Sequence, residues 1–322
     1  MAVEGDSSAA IGIIGLGNMG GRIARRLLAA DFGVIGYDLE PLRVPAAART
    51  ADDVASLAEA VEIVLMSLPD SSVVEAVVLG DTGVLAHCRS GQVVVDLSTA
   101  APRSSVRLHA MFEERGVEFI DAGISGGAAA AEAGTLTIMA GGSPQALERA
   151  RWALEPFSGK VFHVGDAGAG HTVKLLNNFL NAVSLAATAE VMVAARKAGL
   201  DLSTVVEVLN ASSGVNFATL NRFPHIVRGD YLEGGLTGAL MLKDIQLYVE
   251  HVASLGVPSL NASGPIAAFG LANSLGYRDQ VSNRVVDAIG DIAGGVRVSD
   301  TDRGDERRTD EDHHRPRPGQ LE

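Results

Sequence analysis

Cysteine is almost absent: Cys88 is the one thiol in 322 residues, which rules out a disulfide within the chain and metal sites built from several cysteines. A reducing, cytoplasmic setting is the expectation. Basic residues are also scarce, with 26 Lys and Arg against 39 Asp and Glu for a formal net charge of -13. That balance argues against general affinity for nucleic-acid backbones or anionic membrane surfaces. The first nine residues carry Glu4 and Asp6 but no positive segment, and the apolar run 11–16 is short and broken by glycine, so no export signal is read there. Long uninterrupted apolar runs are missing too. The most apolar stretch, 179–195, is broken by Asn181, Ser184, Thr188 and Glu190 and reads as a buried helix rather than a membrane span.

What is present suits two ordinary domains. Hydrophobic residues make up 47% of the chain, enough for each half to bury its own core. Residues 1–9 are expected to be flexible. From residue 10 to about 167, short Val- and Ile-rich runs alternate with helical patterns: 11–14, 33–37, 62–68, 92–96 and 117–121 read as buried strands, and 136–139 and 161–164 as further strands whose direction the pattern leaves open. After the glycines at 168 and 170 comes one long helical segment, 171 to about 198, with Gly199 in a C-cap position. It is apolar on most faces and is expected to be buried all round, under a second domain or subunit. Residues 202–298 stay helical in period, with breaks at 212–214, 234–238, 256–258 and 276. The second domain, 168–298, therefore reads as all-α. Residues 299–322 mix charges of both signs with almost no apolar residue and are expected to form a disordered tail, in which His313 and His314 are read as solvated rather than metal-binding.

The chemistry starts at Gly15-Leu16-Gly17-Asn18-Met19-Gly20, which follows a strand and opens a helix. In that context the spacing is the dinucleotide-binding fingerprint of a Rossmann domain: Gly15 for the tight turn, Gly17 for close approach of a pyrophosphate, Gly20 for helix packing. Asp38 ends the next strand about 20 residues on, where a carboxylate accepts from ribose hydroxyls and repels a 2′-phosphate. This favours NAD over NADP, although Arg43 is near enough in sequence to serve NADP if its loop folds back. Hydride removal from an alcohol carbon also needs a base for the hydroxyl proton. Lys174 opens the long helix, with Asn178 on its face at i+4. The positive end of the helix dipole and partial burial are expected to lower the lysine's pKa toward working pH. Ser125-Gly126-Gly127 follows a strand, and its hydroxyl and backbone N–H groups suit a carboxylate.

Five motifs in order, GLGNMG at 15–20, DLSTAAP at 96–102, DAGISGG at 121–127, GTL at 134–136 and GHTVKLLNN at 170–178, make residues 10–298 resemble the β-hydroxyacid dehydrogenase family, typified by 3-hydroxyisobutyrate dehydrogenase and tartronate semialdehyde reductase. The resemblance implies an α/β Rossmann N-terminal domain and an all-α C-terminal domain joined by a long interdomain helix, assembled as a homodimer or homotetramer. It further implies Lys174 as catalytic acid/base, Asn178 at the substrate hydroxyl, and Ser125, Gly126 and Gly127 on the substrate carboxylate. Around the cofactor it places Leu68, Pro69 and Thr99, with Lys243 reaching in from the helical domain. The acidic residue at 38 followed by Pro41 resembles NAD-using members, whereas NADP-using ones carry Asn-Arg there. The chain departs from the family at Gly123, where proline is usual, at Ala129, where glycine is usual, and at Val73, where some members place asparagine. Asn216, Arg222, Phe223 and His225 are possible pocket residues by position alone.

The reading that results is an NAD-dependent dehydrogenase of a small carboxylate-bearing β-hydroxy acid, without a metal. Alternatives are an NADPH-dependent semialdehyde or imine reductase of the same fold, and a non-catalytic dinucleotide-binding redox sensor. Imine reductases usually carry aspartate or tyrosine where this chain has Lys174, and a sensor needs neither Lys174 nor Asn178. The related decarboxylating sugar-phosphate dehydrogenases have a much longer helical domain.

Overall fold

The computed structural model describes residues 10–299, so the expectations for residues 1–9 and for the tail beyond Ser299 lie outside the described residues. Ser299 itself is buried. By compactness the chain forms two units, one of residues up to Asn178 together with Gln246–Ser259, the other of Phe179–Ile245 and the residues from Leu260.

The first unit is built on one eight-stranded sheet. Its strands are β1 (Ala10–Ile14), β2 (Gly33–Tyr37), β3 (Arg49–Thr50), β4 (Ile63–Met66), β5 (Val93–Asp96), β6 (Glu118–Ser125), β7 (Leu136–Gly141) and β8 (Ser158–Gly165), in the order β3-β2-β1-β4-β5-β6-β7-β8. Pairing is parallel from β3 through β6; β7 runs antiparallel to β6, and β8 parallel to β7. The runs of Val and Ile exist because both faces are covered, as a parallel sheet with crossover helices requires. Side chains alternate between two cores. Ile11, Ile13, Leu65, Val95 and Ile120 pack on one face with Leu27 and Phe157, and Ile14, Val64, Met66, Val94 and Phe119 pack on the other with Leu57 and Phe112. Seven helices cross between the strands: α1 (Gly20–Ala29), α2 (Val54–Ala60), α3 (Ser71–Leu79), α4 (Val84–His87), α5 (Pro102–Glu113), α6 (Gly127–Ala133) and α7 (Pro144–Leu154). Their starts follow local chemistry: Asp53 caps α2, Asp70 caps α3, Ser143 caps α7, and Pro102 opens α5. Two-residue β3 escaped the sequence reading because both residues are exposed and show no alternation.

Helix α8 (Ala169–Lys197) runs from the first unit into the second; beyond its end Gly199 adopts φ 76°, as a left-handed C-cap position requires. Within the single chain α8 is buried on part of its circumference. Leu175, Ala182, Leu185, Ala189 and Met192 are buried, but Leu176, Leu180 and Val191 are exposed. At 100° per residue those three share a stripe opposite Lys174 and Asn178. Among the described residues α8 is the helix long and apolar enough for a membrane span by length and composition, and 56% of its apolar window is buried inside the protein.

The second unit contains the rest of α8, then α9 (Leu202–Asn210), α10 (Phe217–Asn221), α11 (Phe223–Ile226), the first part of α12 (Gly238–Ser254), α13 (Ser263–Ala272) and α14 (Val285–Ile292). Asp201 caps α9 and Asn216 forms a reciprocal capping box on α10. Its buried polar centre joins the Tyr231 hydroxyl to Asp287 Oδ1 at 2.8 Å, with Arg284 at 3.0 Å from Asp287 and stacked on the Tyr231 ring.

Candidate active site

Strand order reverses between β1 and β4, and in open α/β sheets the crevice at the C-terminal ends of such strands receives ligands. The glycine-rich turn lies there. Gly15 has φ 85°, and a Cβ on it would stand 2.9 Å from the Leu68 side chain. A Cβ on Gly20 would collide with the carbonyl oxygen of Gly15, whereas one on Gly17 would meet nothing within 4 Å. The first glycine is thus consumed by packing against the loop after β4 and the third by packing of α1 on the turn, while the second faces open space where an anion can approach the backbone. Leu16 is buried, its N–H donating to Asp38 Oδ2 at 2.7 Å. Asn18 holds Arg22 through its carbonyl oxygen at 2.6 Å and through its side-chain oxygen, and Met19 stands immediately before α1.

Asp38 follows β2 with both oxygens engaged, Oδ2 by Leu16 and Oδ1 by the Glu40 N–H at 2.9 Å. The sequence pointed to Asp38 as a ribose acceptor and gave no sign of this contact, which pins the glycine turn. Arg43 does fold back: its guanidinium lies 3.6 Å from Asp38 and 2.8 Å from Glu40. On the other side of β1, the loops after β4 and β5 are tied together, because the Leu68 N–H donates to Ser98 Oγ at 2.9 Å and the Ser98 N–H to Asp96 Oδ1 at 3.0 Å. Those loops carry Leu68, Pro69 and Thr99. An open cradle at Gly17, a carboxylate at the end of β2 and glycine-fixed packing between them together fit a dinucleotide.

Next along the sheet is β6. Lys174 and Asn178 on α8 are both buried, at 8% and 4% exposure, and one helical turn apart on one face. The lysine stem lies against β6 at Gly123: a Cβ there would be 2.5 Å from Lys174 Cβ. The departure from proline at 123 therefore leaves room that Lys174 occupies. Two residues on, Ser125 ends β6 and leads into Gly126 and Gly127, at φ 128° and 70°, the left-handed region where other side chains are strained. Lys174 thus stands beside β6 two residues before Ser125, with Asn178 one helical turn on, in the same unit as the glycine turn, and β6 ends at the same edge of the sheet. An amine that gives or takes a proton beside an amide that donates and accepts can handle a hydroxyl.

Lys243 belongs to the second unit, on α12, where its ammonium lies 3.1 Å from the buried Asp244 carboxylate. The four residues noted by position alone also fall in that unit. Asn216 is the cap of α10, Phe223 is fully buried, His225 pairs with Asp230 at 3.2 Å, and Arg222 donates to Asn283 at 2.6 Å and to Asn181 at 2.9 Å. Burial lowers the Arg222 guanidinium to about 10.

Sequence reasoning missed the polar cluster beneath Lys174. Asp121 on β6 is completely buried and accepts from the N–H groups of Gly168 (2.7 Å) and His171 (2.8 Å) at the start of α8. This qualifies the expectation that the positive helix end acts on Lys174, since a carboxyl group already occupies that end. His171, also fully buried, meets Ser105 Oγ on α5 through Nδ1 at 2.7 Å. Asp96 is the cross-strand neighbour of Asp121; burial pushes its carboxyl up, partly offset by His171. Aspartate at two adjoining strand ends, in a sheet covered on both faces, was the available signal, because a buried carboxyl must find donors. Cys88 has no part in this chemistry, since burial pushes its thiol up to about 12.

Comparison with known proteins gives the site its context. Residues 10–165 match the family described as the NAD binding domain of 6-phosphogluconate dehydrogenase, and residues 168–287 the family described as NAD-binding of NADP-dependent 3-hydroxyisobutyrate dehydrogenase. The chain is 37% identical over 284 residues to an NAD-dependent L-serine dehydrogenase of Pseudomonas aeruginosa, covering 84% of this chain and 94% of that protein. It is 35% identical over 280 residues to 2-(hydroxymethyl)glutarate dehydrogenase of Eubacterium barkeri, covering 85% and 93%. The solved structure of a Mycobacterium tuberculosis 3-hydroxyisobutyrate dehydrogenase with L-serine superposes with a TM-score of 0.78 at 30% identity, covering 86% and 98%. With family models over both halves and relatives at this identity across more than four fifths of its length, the chain belongs to the β-hydroxyacid dehydrogenase family, as a nicotinamide-dinucleotide-dependent oxidoreductase acting on CH–OH groups.

Proposed function

We propose that this protein is an NAD-dependent dehydrogenase of a small β-hydroxy acid of the 3-hydroxyisobutyrate type, with Lys174 as general acid/base. The observation that carries the reading is the buried Lys174 set against Gly123 on β6, two residues before the Ser125–Gly127 turn, with buried Asn178 one helical turn on. When bound, the dinucleotide supplies the hydride acceptor. Ser125, Gly126 and Gly127 hold the substrate carboxylate through hydroxyl and backbone N–H groups, Asn178 orients the hydroxyl, and Lys174 takes its proton at the oxygen. Burial of the pair keeps bulk water from competing for that proton. Gly15–Gly20, Asp38, Leu68, Pro69, Thr99 and Lys243 are the residues assigned to the dinucleotide, and residues 168–298 serve substrate binding and oligomerisation. The exposed Leu176, Leu180 and Val191 stripe supports a homo-oligomer in which a second copy covers α8. The single cysteine fits a soluble enzyme of the cytoplasm.

The test follows cofactor reduction by absorbance for NAD and NADP against 3-hydroxyisobutyrate, L-serine, 2-(hydroxymethyl)glutarate, L-threonate and glycerate. Turnover of at least one acid with NAD is expected; bound NAD with no turnover of any acid overturns the reading.

NAD is preferred because a 2′-phosphate would meet the carboxylate of Asp38, which the Leu16 N–H holds in place, while Arg43, though folded back, is already paired with Asp38 and Glu40. Asp38→Ser removes that repulsion and should lower the NAD-over-NADP ratio of kcat/KM by about 10- to 100-fold. The replacement also releases Leu16, so NAD efficiency itself should fall. A ratio left where it was would show that Asp38 does not read the ribose.

A further inference from the structure

Beneath Lys174 the first turn of α8 is held from several sides. Asp121 and Gly123 are two apart on β6 and so face the same way. Asp121 binds the helix start through both carboxyl oxygens, to Gly168 at 2.7 Å and His171 at 2.8 Å, while Gly123 leaves the space in which the Lys174 stem lies. The approach is tight: a Cβ on Gly170 would collide with the carbonyl oxygen of Asp121. From α5, Ser105 meets His171 Nδ1 at 2.7 Å. From α12, His251 Nε2 stands 3.2 Å from Thr172 Oγ1. Lys174 follows His171 by three residues, so these contacts fix the turn from which its side chain springs.

Asp121 is a fully buried carboxyl group, and the two amides of the helix start donate to it. A buried acidic side chain is a costly way to end a helix, since a neutral cap on its own N-terminal residue does the same on α7 and α10. What a cap from β6 adds is registry between the strand that leads to Ser125–Gly127 and the helix that carries Lys174 and Asn178. We infer that Asp121 is a positioning residue for the reaction: it sets the height of α8 on β6 and thereby the place of the Lys174 amine relative to the Ser125–Gly127 turn, with Ser105 acting through His171 as the second clamp. This rests on the reading of Lys174 as the acid/base. Displacement of a reacting group by about 1 Å can cost about 100-fold in rate.

Asp121→Asn tests it. The amide keeps one acceptor oxygen but turns its NH₂ group toward the other backbone N–H, so half of the clamp is lost at nearly constant volume. With the acid oxidised fastest in the panel above, kcat is expected to fall about 10- to 100-fold while KM for NAD stays within about twofold. In a Lys174→Ala background the same change should cost nothing further, because its effect passes through the lysine. An equal factor in both backgrounds, or an unchanged kcat in the single variant, overturns the inference. Ser105→Ala, which removes no helix cap, is the companion should Asp121→Asn fold poorly; it is expected to lower kcat by about threefold to tenfold with the same lack of effect when Lys174 is gone, and full activity would count against the clamp. Amide hydrogen exchange at Gly168 and His171 needs no substrate. It should quicken in Asp121→Asn while the ladder amides of β6 keep their protection, and unchanged exchange overturns the clamp whatever the kinetics show. Failure of the functional reading looks different, because Lys174→Ala alone would then keep full kcat.

Discussion

Lys174→Ala should lower kcat by about 100- to 10,000-fold while NAD binds with its native affinity, the range expected when a general acid/base is removed. The buried position sharpens this expectation. At 8% exposure the residue is withdrawn from bulk water, so no solvent base replaces it easily, and its stem lies close against Gly123. Truncation to alanine keeps the Cβ that lies against Gly123 and removes the amine without touching Gly15–Gly20 or Asp38. KM for the hydroxy acid should therefore move far less than kcat. Lys174→Arg is the informative companion: it keeps a cation but holds its proton through the whole working range, and its longer planar head does not fit the same space, so it should be about as inactive as alanine. An arginine variant with native kcat would show that charge alone is wanted at 174, and unchanged kcat in the alanine variant would remove the lysine from the mechanism.

Much of this was legible in the sequence for identifiable reasons. The strands with Val and Ile on both faces could be read because a parallel sheet buries both, and Lys174 with Asn178 could be paired because i+4 is a fixed geometry on a helix. The direction of β7 could not be read. Its reversal depends on the turn from Ser125 through Gly126 and Gly127 into α6, where positive φ values rather than any residue pattern swing the chain back beside β6. Asp121 was visible only as the first letter of a motif, since its partners stand 47 and 50 residues away and a long-range cap leaves no periodicity. Which part of α8 this chain itself covers could not be read, because hydropathy reports how apolar a face is and not what lies on it, and Leu180 is exposed in the single chain.

The glycines of the dinucleotide turn give the other large effect, and they separate by what surrounds each one. At Gly20 a methyl group would run into the carbonyl oxygen of Gly15 and lie 3.2 Å from Ser67 Cβ; neither is the free end of a flexible side chain, so α1 must back away from β1. Overpacking of this kind costs about 2 kcal/mol, or roughly 4–8 °C in Tm. Because the displaced helix start is also the proposed pyrophosphate site, Gly20→Ala should raise the Kd for NADH by about 100-fold as well. At Gly17 the added methyl meets nothing in the protein, so Gly17→Ala should keep the native Tm within about 1 °C. If the pyrophosphate approaches there, the methyl stands in its path and the NADH Kd should still rise by about 10-fold or more. Fluorescence titration with NADH, alongside thermal unfolding of the same samples, measures both quantities. Weakened binding in both variants with lowered Tm only in Gly20→Ala assigns packing to the third glycine and ligand approach to the second. Native affinity in Gly17→Ala would place the pyrophosphate elsewhere on the edge of the sheet.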